Sequence, residues 1–167
     1  MHLVIDGYNL IHATADLSLA QDRDQGPQAL TAALKLYRQK RGHKVTVVLD
    51  GGPDPQGGQG SLNQIPLIYS GADRSADQVI IEMARRHGPG ITVISNDNQL
   101  TNLCQQAGAE VISSFEFSDL LMEAALESHL AGEGDDRPGW DFSTKKKGPS
   151  RRLPKAKRRR QRRLKRL

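Results

Sequence analysis

The chain has 167 residues, 37% of them hydrophobic and 4% aromatic, enough for one domain with a real core and short for two. Its net charge of +5 hides a split: residues 143–167 carry 14 of the 24 Lys and Arg and none of the Asp and Glu, leaving residues 1–142 with 10 basic against 19 acidic side chains. One cysteine excludes an internal disulfide, no apolar run approaches a membrane span, and the first residues lack the basic flank and long apolar core of a secretory signal, so a soluble cytoplasmic protein is expected.

Residues 2–5, His2-Leu3-Val4-Ile5, form a short apolar run ending in Asp6-Gly7, which reads as a strand followed by a turn. Gly26-Pro27 opens a helix, since proline suits the first helical position. Leu30, Ala33, Leu34 and Tyr37 give that helix an apolar stripe, and Gly42 lies at its end. Residues 45–49 are apolar and rich in β-branched side chains, the pattern of a strand buried on both faces, and Asp50 follows them.

Five glycines and two prolines mark residues 51–60 as a loop. Residues 65–69 form a weaker strand whose direction the sequence leaves open, because a parallel return needs a crossover of about a dozen residues. A helix over residues 75–87 has a capping-box pattern, Ser75 with Gln78, and places Asp77 in its first turn, where the helix dipole favours a carboxylate.

A strand over residues 91–94 runs into Ser95-Asn96-Asp97, and a helix over residues 98–107 closes at Gly108. Cys104, in that helix, reads as a small core residue rather than a nucleophile. Residues 110–112 form a short strand and residues 118–130 a last helix stopped by Gly132. This alternation implies a three-layer α/β/α sandwich over residues 1–131. Residues 132–142 read as a linker whose Trp140 and Phe142 could dock back on the body. Residues 143–167 have too few apolar side chains for a core and are expected to be disordered alone.

Four aspartates thus stand at strand ends or in the helix after one: Asp6, Asp50, Asp77 and Asp97. In an open α/β sheet, ligands bind at the carboxyl ends of the strands. Carboxylates gathered on one rim repel one another unless a divalent cation sits among them, so the pattern points to metal. Taken singly, Asp-Gly at a strand end is ordinary turn chemistry, and Asp in a first helical turn is ordinary dipole complementation. Other chemistries lack their motifs: no phosphate-binding Gly-x-x-x-x-Gly-Lys loop, no dinucleotide glycine spacing and no His-Glu-x-x-His occurs. The five histidines are scattered; His87 and His129 each fall at a helix end, where a cation is favoured.

The segments Val4-Ile5-Asp6-Gly7-Tyr8-Asn9-Leu10-Ile11, Val47-Val48-Leu49-Asp50, Ser75-Ala76-Asp77 and Ser95-Asn96-Asp97, in this order, resemble the motifs of the NYN branch of the PIN-like nucleases. They are most similar to the bacterial YacP-like, ribosome-associated endoribonucleases. The resemblance covers roughly residues 1–130 and implies a largely parallel five-stranded sheet of order 3-2-1-4-5, with the Asp6 and Asp97 strands adjoining. It implies that Asp6, Asp77 and Asp97 bind Mg²⁺ or Mn²⁺ and that Asn9 orients a ligand or a metal-bound water. Asp50 would support the site from the neighbouring strand, and Ser95 would hydrogen-bond a carboxylate. Asp73 is either an outer ligand or a loop residue, and Tyr8 packs or stacks near the site. The implied activity is hydrolysis of RNA phosphodiesters to 5′-phosphate and 3′-hydroxyl ends.

The basic segment supplies Arg151, Arg152, Lys155, Lys157, Arg158, Arg159, Arg160, Arg162 and Arg163 and is nearly free of aromatics. It can neutralise phosphates but offers no stacking platform, so RNA binding without sequence reading is expected of it. Three functions compete on this reading. One is a metal-dependent endoribonuclease, with ribosome-associated RNA among its substrates. The second is a non-catalytic RNA- or ribosome-binding protein, and the third a DNA nuclease. The full set of acidic residues favours the first.

Overall fold

The computed structural model describes residues 1–15, 17 and 25–132, and side chains as far as residue 125. The expected linker and basic tail, with Trp140, Phe142 and residues 151–163, lie outside these.

Six strands form one sheet: β1 (His2–Asp6), β2 (Lys44–Leu49), β3 (Gly58–Leu62), β4 (Ile65–Tyr69), β5 (Ile91–Ile94) and β6 (Glu110–Ile112), in the order β3-β4-β2-β1-β5-β6. Every pairing is parallel except the β3–β4 hairpin. The helices are α1 (Gly7–Ala13), α2 (Gly26–Arg41), α3 (Ala76–His87), α4 (Asn98–Gln106) and α5 (Ser114–Gly132). No helix among the described residues is long and apolar enough to cross a membrane.

Alternation along the strands explains the layers, since successive side chains of a strand face opposite ways. Leu3, Ile5, Val45, Val47 and Leu49 join the core beneath α1, α2 and α5, with Leu10, Leu34, Tyr37 and Phe117. Val4, Val48 and Val93 join the opposite core with Ala76, Val79, Ile80, Leu100 and Cys104 of α3 and α4. Both faces of the central strands are therefore dry, as a parallel sheet requires. Cys104 is fully buried, and burial, with Asp77 adding to it, pushes its thiol up to about 11.

The expected order 3-2-1-4-5 holds for the five parallel strands, and a sixth is added at the edge. Residues 58–60, expected in a loop, pair with β4 in a tight hairpin. Its turn uses Asn63 and Gln64, both at positive φ (50° and 66°), the hand that matches strand twist. Arg38 of α2 donates to the Gln64 carbonyl at 2.6 Å, and Asn63 Nδ2 donates to the Thr31 hydroxyl at 3.0 Å. The hairpin also settles the direction of β4: β3 carries the chain back along the sheet, so β4 runs parallel to β2 without a helical crossover.

One helix adds to those expected, and another starts earlier. The turn expected at Asp6-Gly7 is the first residue of α1, with Asp6 as its N-cap. Helix α5 begins at Ser114 rather than Ser118, because Ser113 accepts from the Glu116 N–H at 3.2 Å and bonds the Glu116 carboxylate. Elsewhere the end signals act as read. Pro27 sits in the first turn of α2, Gly42 ends it at φ 69°, and Ser75 and Gln78 complete a reciprocal capping box on α3.

Candidate active site

The parallel register brings the carboxyl ends of β2, β1 and β5 to one rim: Asp6 aligns with Val48, and Ile5 with Ile94. Each strand then delivers a polar residue. Asp6 ends β1, Asp50 follows β2, and Ser95-Asn96-Asp97 follow β5.

Asp6 is the buried member, 9% exposed, and both of its oxygens are held. Oδ1 accepts from the Asn9 N–H at 3.2 Å and Oδ2 from the Ser95 hydroxyl at 3.0 Å. Ser95 Oγ also accepts from the Asp97 N–H at 3.1 Å, so a single hydroxyl ties two of the aspartates together. Asp97 caps α4, its Oδ1 accepting from the Leu100 N–H at 2.8 Å. Asp50 Oδ1 accepts from the Ala76 N–H at 2.6 Å, which fastens the end of β2 to the first turn of α3 beside Asp77.

Asn9 clasps the far side of the rim. Its Oδ1 accepts from the Asn96 N–H at 2.9 Å and from the Ser114 hydroxyl at 2.8 Å. Ser114 is fully buried at the start of α5, and nothing in its local sequence marks it as part of a site. Asp73, by contrast, is exposed and takes no hydrogen bond among the described residues. Tyr8 packs half-buried against the core under α1.

The carboxylates act on one another. Burial holds the Asp6 carboxyl above its usual range, the hydrogen bonds from Asn9 and Ser95 pull it back, and the charges of Asp77 and Asp50 raise it again. Asp77 is likewise raised, first by burial and then by Asp97 and Asp50. A raised acid favours the folded state while protonated. That stability is fully present below the unfolded pKa and is lost as pH rises through the folded value. At pH 7 the ionised Asp77 therefore opposes folding. Asp77→Asn is expected to raise the melting temperature at pH 7, and only modestly, because the side chain is only half-buried and solvent screens its neighbours' charges. The gain should vanish at pH 3.5; thermal melts at the two pH values check it, and a lower melting temperature at pH 7 contradicts it.

Among the described residues, no three His, Cys, Asp or Glu side chains are gathered closely enough to cage an ion by themselves. The donor set still suits a hard cation. It consists of carboxylate oxygens whose mutual repulsion a positive charge relieves, and Mg²⁺ keeps several waters and binds through one or two carboxylates. The residues present fit a cation held by few direct ligands.

Comparisons with known proteins bear on this arrangement. Residues 3–165 match the model of the family described as YacP-like NYN domain, a span that takes in the basic segment as well as the sheet. No curated protein sequence matches the chain. The fold is similar to that of the crystal structure of Rae1 (YacP) from Bacillus subtilis, with 21% identity and a TM-score of 0.65 over 79% of each chain. A tryptophan-to-leucine mutant of the same protein gives 20% identity and a TM-score of 0.65, covering 79% of this chain and 84% of that one. At this identity the structural likeness is one of fold.

Proposed function

Because this chain belongs to the YacP-like NYN domain family, a nuclease-like and RNA-related family, we propose that it is a divalent-metal-dependent endoribonuclease of the cytoplasm. The observation that carries this reading is Asp6. It is a carboxylate with both oxygens held, its pKa raised first by burial and then by the charges of Asp77 and Asp50, on the rim where parallel sheets bind ligands. A buried acid under like-charge repulsion is costly, and such groups concentrate at functional sites.

Asp6, Asp77 and Asp97 would hold Mg²⁺ or Mn²⁺ in part through the waters the ion keeps, with Asp50 in support. Such a cation, when bound, supplies Lewis-acid polarisation of a phosphodiester and acidification of water. The chain's own residues do the placing. Ser95 fixes Asp6 relative to Asp97, and the Asp50–Ala76 bond fixes the helix that carries Asp77. One oxygen of Asp97 is spent on its helix cap, leaving the other for the site. No lysine, histidine or cysteine nucleophile is needed.

The substrate is RNA, cut to leave 5′-phosphate and 3′-hydroxyl ends, with ribosome-associated RNA among the targets. The body is acidic and by itself repels a polyanion. The cationic run from Arg151 to Arg163 recruits it.

The test is to incubate wild type and Asp97→Asn with mixed RNA, in a chelator and in Mn²⁺, and to sequence the product ends. Cleavage is expected only for wild type in Mn²⁺. Wild-type cutting in chelator, or a folded Asp97→Asn that cuts as well as wild type, overturns the reading. RNA bound but never cut by wild type in Mn²⁺ marks a non-catalytic binding protein instead.

A further inference from the structure

The Asn9 amide is oriented by its partners. The Asn96 N–H can only donate, so the atom 2.9 Å from it is the Asn9 oxygen, and the Ser114 hydroxyl at 2.8 Å takes the second lone pair of that same oxygen. Three consequences follow. The oxygen is spent and is not free to ligate a cation. The amide nitrogen is no metal ligand. What Asn9 has left is the two N–H bonds of Nδ2, which meet no acceptor among the described residues although the side chain is only half-buried.

Asn9 thus brings a free donor pair to a rim whose four carboxylates are acceptors. The carboxylates of Asp6, Asp50, Asp77 and Asp97 offer only lone pairs when ionised, and a phosphodiester offers the same. A cation can bridge two such sets, but the non-bridging oxygens it leaves over need a donor. A neutral amide supplies one without adding charge.

We propose that Asn9 Nδ2 donates to a non-bridging phosphate oxygen of the bound RNA, and that Ser114 is the positioning residue that holds the amide in the donating orientation. This rests on the reading of the chain as an RNA-binding nuclease and deepens it. It assigns Asn9 to the substrate rather than to the metal. It also brings into the site a serine at the start of α5, which is separated from Asn9 by 105 positions in the chain.

The decisive variant is Asn9→Asp. A carboxylate keeps the oxygen that accepts from Asn96 and Ser114, so the clasp survives, but it replaces both donors with an acceptor. In Mn²⁺, Asn9→Asp is expected to lower kcat/KM by about 10-fold or more, the scale of a hydrogen bond to a charged group, in a protein that still folds. Ser114→Ala keeps the amide but frees it to turn, and a smaller loss of a few-fold is expected.

A second measurement does not depend on cleavage. In Mg²⁺, the side-chain amide signal of Asn9 in ¹⁵N-labelled protein, assigned by its absence in Asn9→Asp, is expected to shift when a short single-stranded RNA with a hydrolysis-resistant backbone is added. The shift should shrink in Ser114→Ala. RNA that binds without moving the signal, or a folded Asn9→Asp with wild-type kcat/KM, overturns the donor. A wild type that shows the shift yet cuts nothing in Mn²⁺ overturns the nuclease reading and leaves the donor standing. No RNA binding at all overturns both.

Discussion

Asp6→Asn is expected to reduce Mn²⁺-dependent RNA cleavage by about 10²–10³-fold or more while leaving the protein folded. The two halves of that expectation come from the same hydrogen bonds. Asparagine caps helices as well as aspartate does, so its oxygen can still accept from the Asn9 N–H at the start of α1. Its amide nitrogen can donate to the Ser95 hydroxyl, reversing the bond that Ser95 now makes. The buried charge is gone, and with it the repulsion from Asp77 and Asp50. Stability should therefore hold or rise at pH 7, while the one carboxylate fixed at both oxygens no longer serves a cation. Cleavage rates and thermal melts on the same preparation decide it. A folded variant that cuts at the wild-type rate removes Asp6 from the chemistry.

Gly7→Ala is expected to lower the melting temperature by about 6–8 °C, equivalent to about 2 kcal/mol. A β-carbon at this position would lie 2.5 Å from Leu49 Cδ2, 2.9 Å from Val47 Cγ1 and 3.0 Å from the Val48 carbonyl oxygen. The carbonyl belongs to the sheet and the two side chains to its filled core, so none of the three can give without repacking. Alanine's better helix propensity returns up to about 1 kcal/mol, too little to offset the overlap. The only relief is for α1 to lift from β2, and lifting it pulls the Asn9 N–H away from Asp6 and the Asn9 amide away from Asn96. Loss of cleavage should accompany the loss of stability. Unchanged melting would show that α1 does not press on β2 here.

The same glycine shows where sequence reasoning reaches and where it stops. Asp6-Gly7 after an apolar run fits a turn as well as a helix start. What decides between them is the close approach of α1 to Val47 and Leu49, some forty residues away in the chain. The central strands were legible because burial on both faces leaves an unbroken apolar run, and the capping box of α3 because its residues are local. β3 was not legible: Gly58-Gln59-Gly60-Ser61 is exposed and glycine-rich, and it is a strand only because a tight turn pins it to β4. The start of α5 could have been read, since Ser113 and Glu116 stand at capping-box spacing ahead of Phe117. Within the site, the aspartates and Ser95 announce themselves at strand ends. Ser114 does not, because its importance comes wholly from the distant residue that it touches.

The clasp between Asn9 and Ser114 has a consequence for how the protein is made. A chain is synthesised from its N-terminus, so Asp6, Asp50, Asp77 and Asp97 all emerge before Ser114 does. Until that residue leaves the ribosome, Asn9 lacks one of its two tethers, and the α5 face of the core, with Phe117 and Leu121, is missing. A chain stalled short of this point carries every carboxylate and no finished centre. Under the proposed endoribonuclease function, completion of the fold is thus a safeguard for the message still being read.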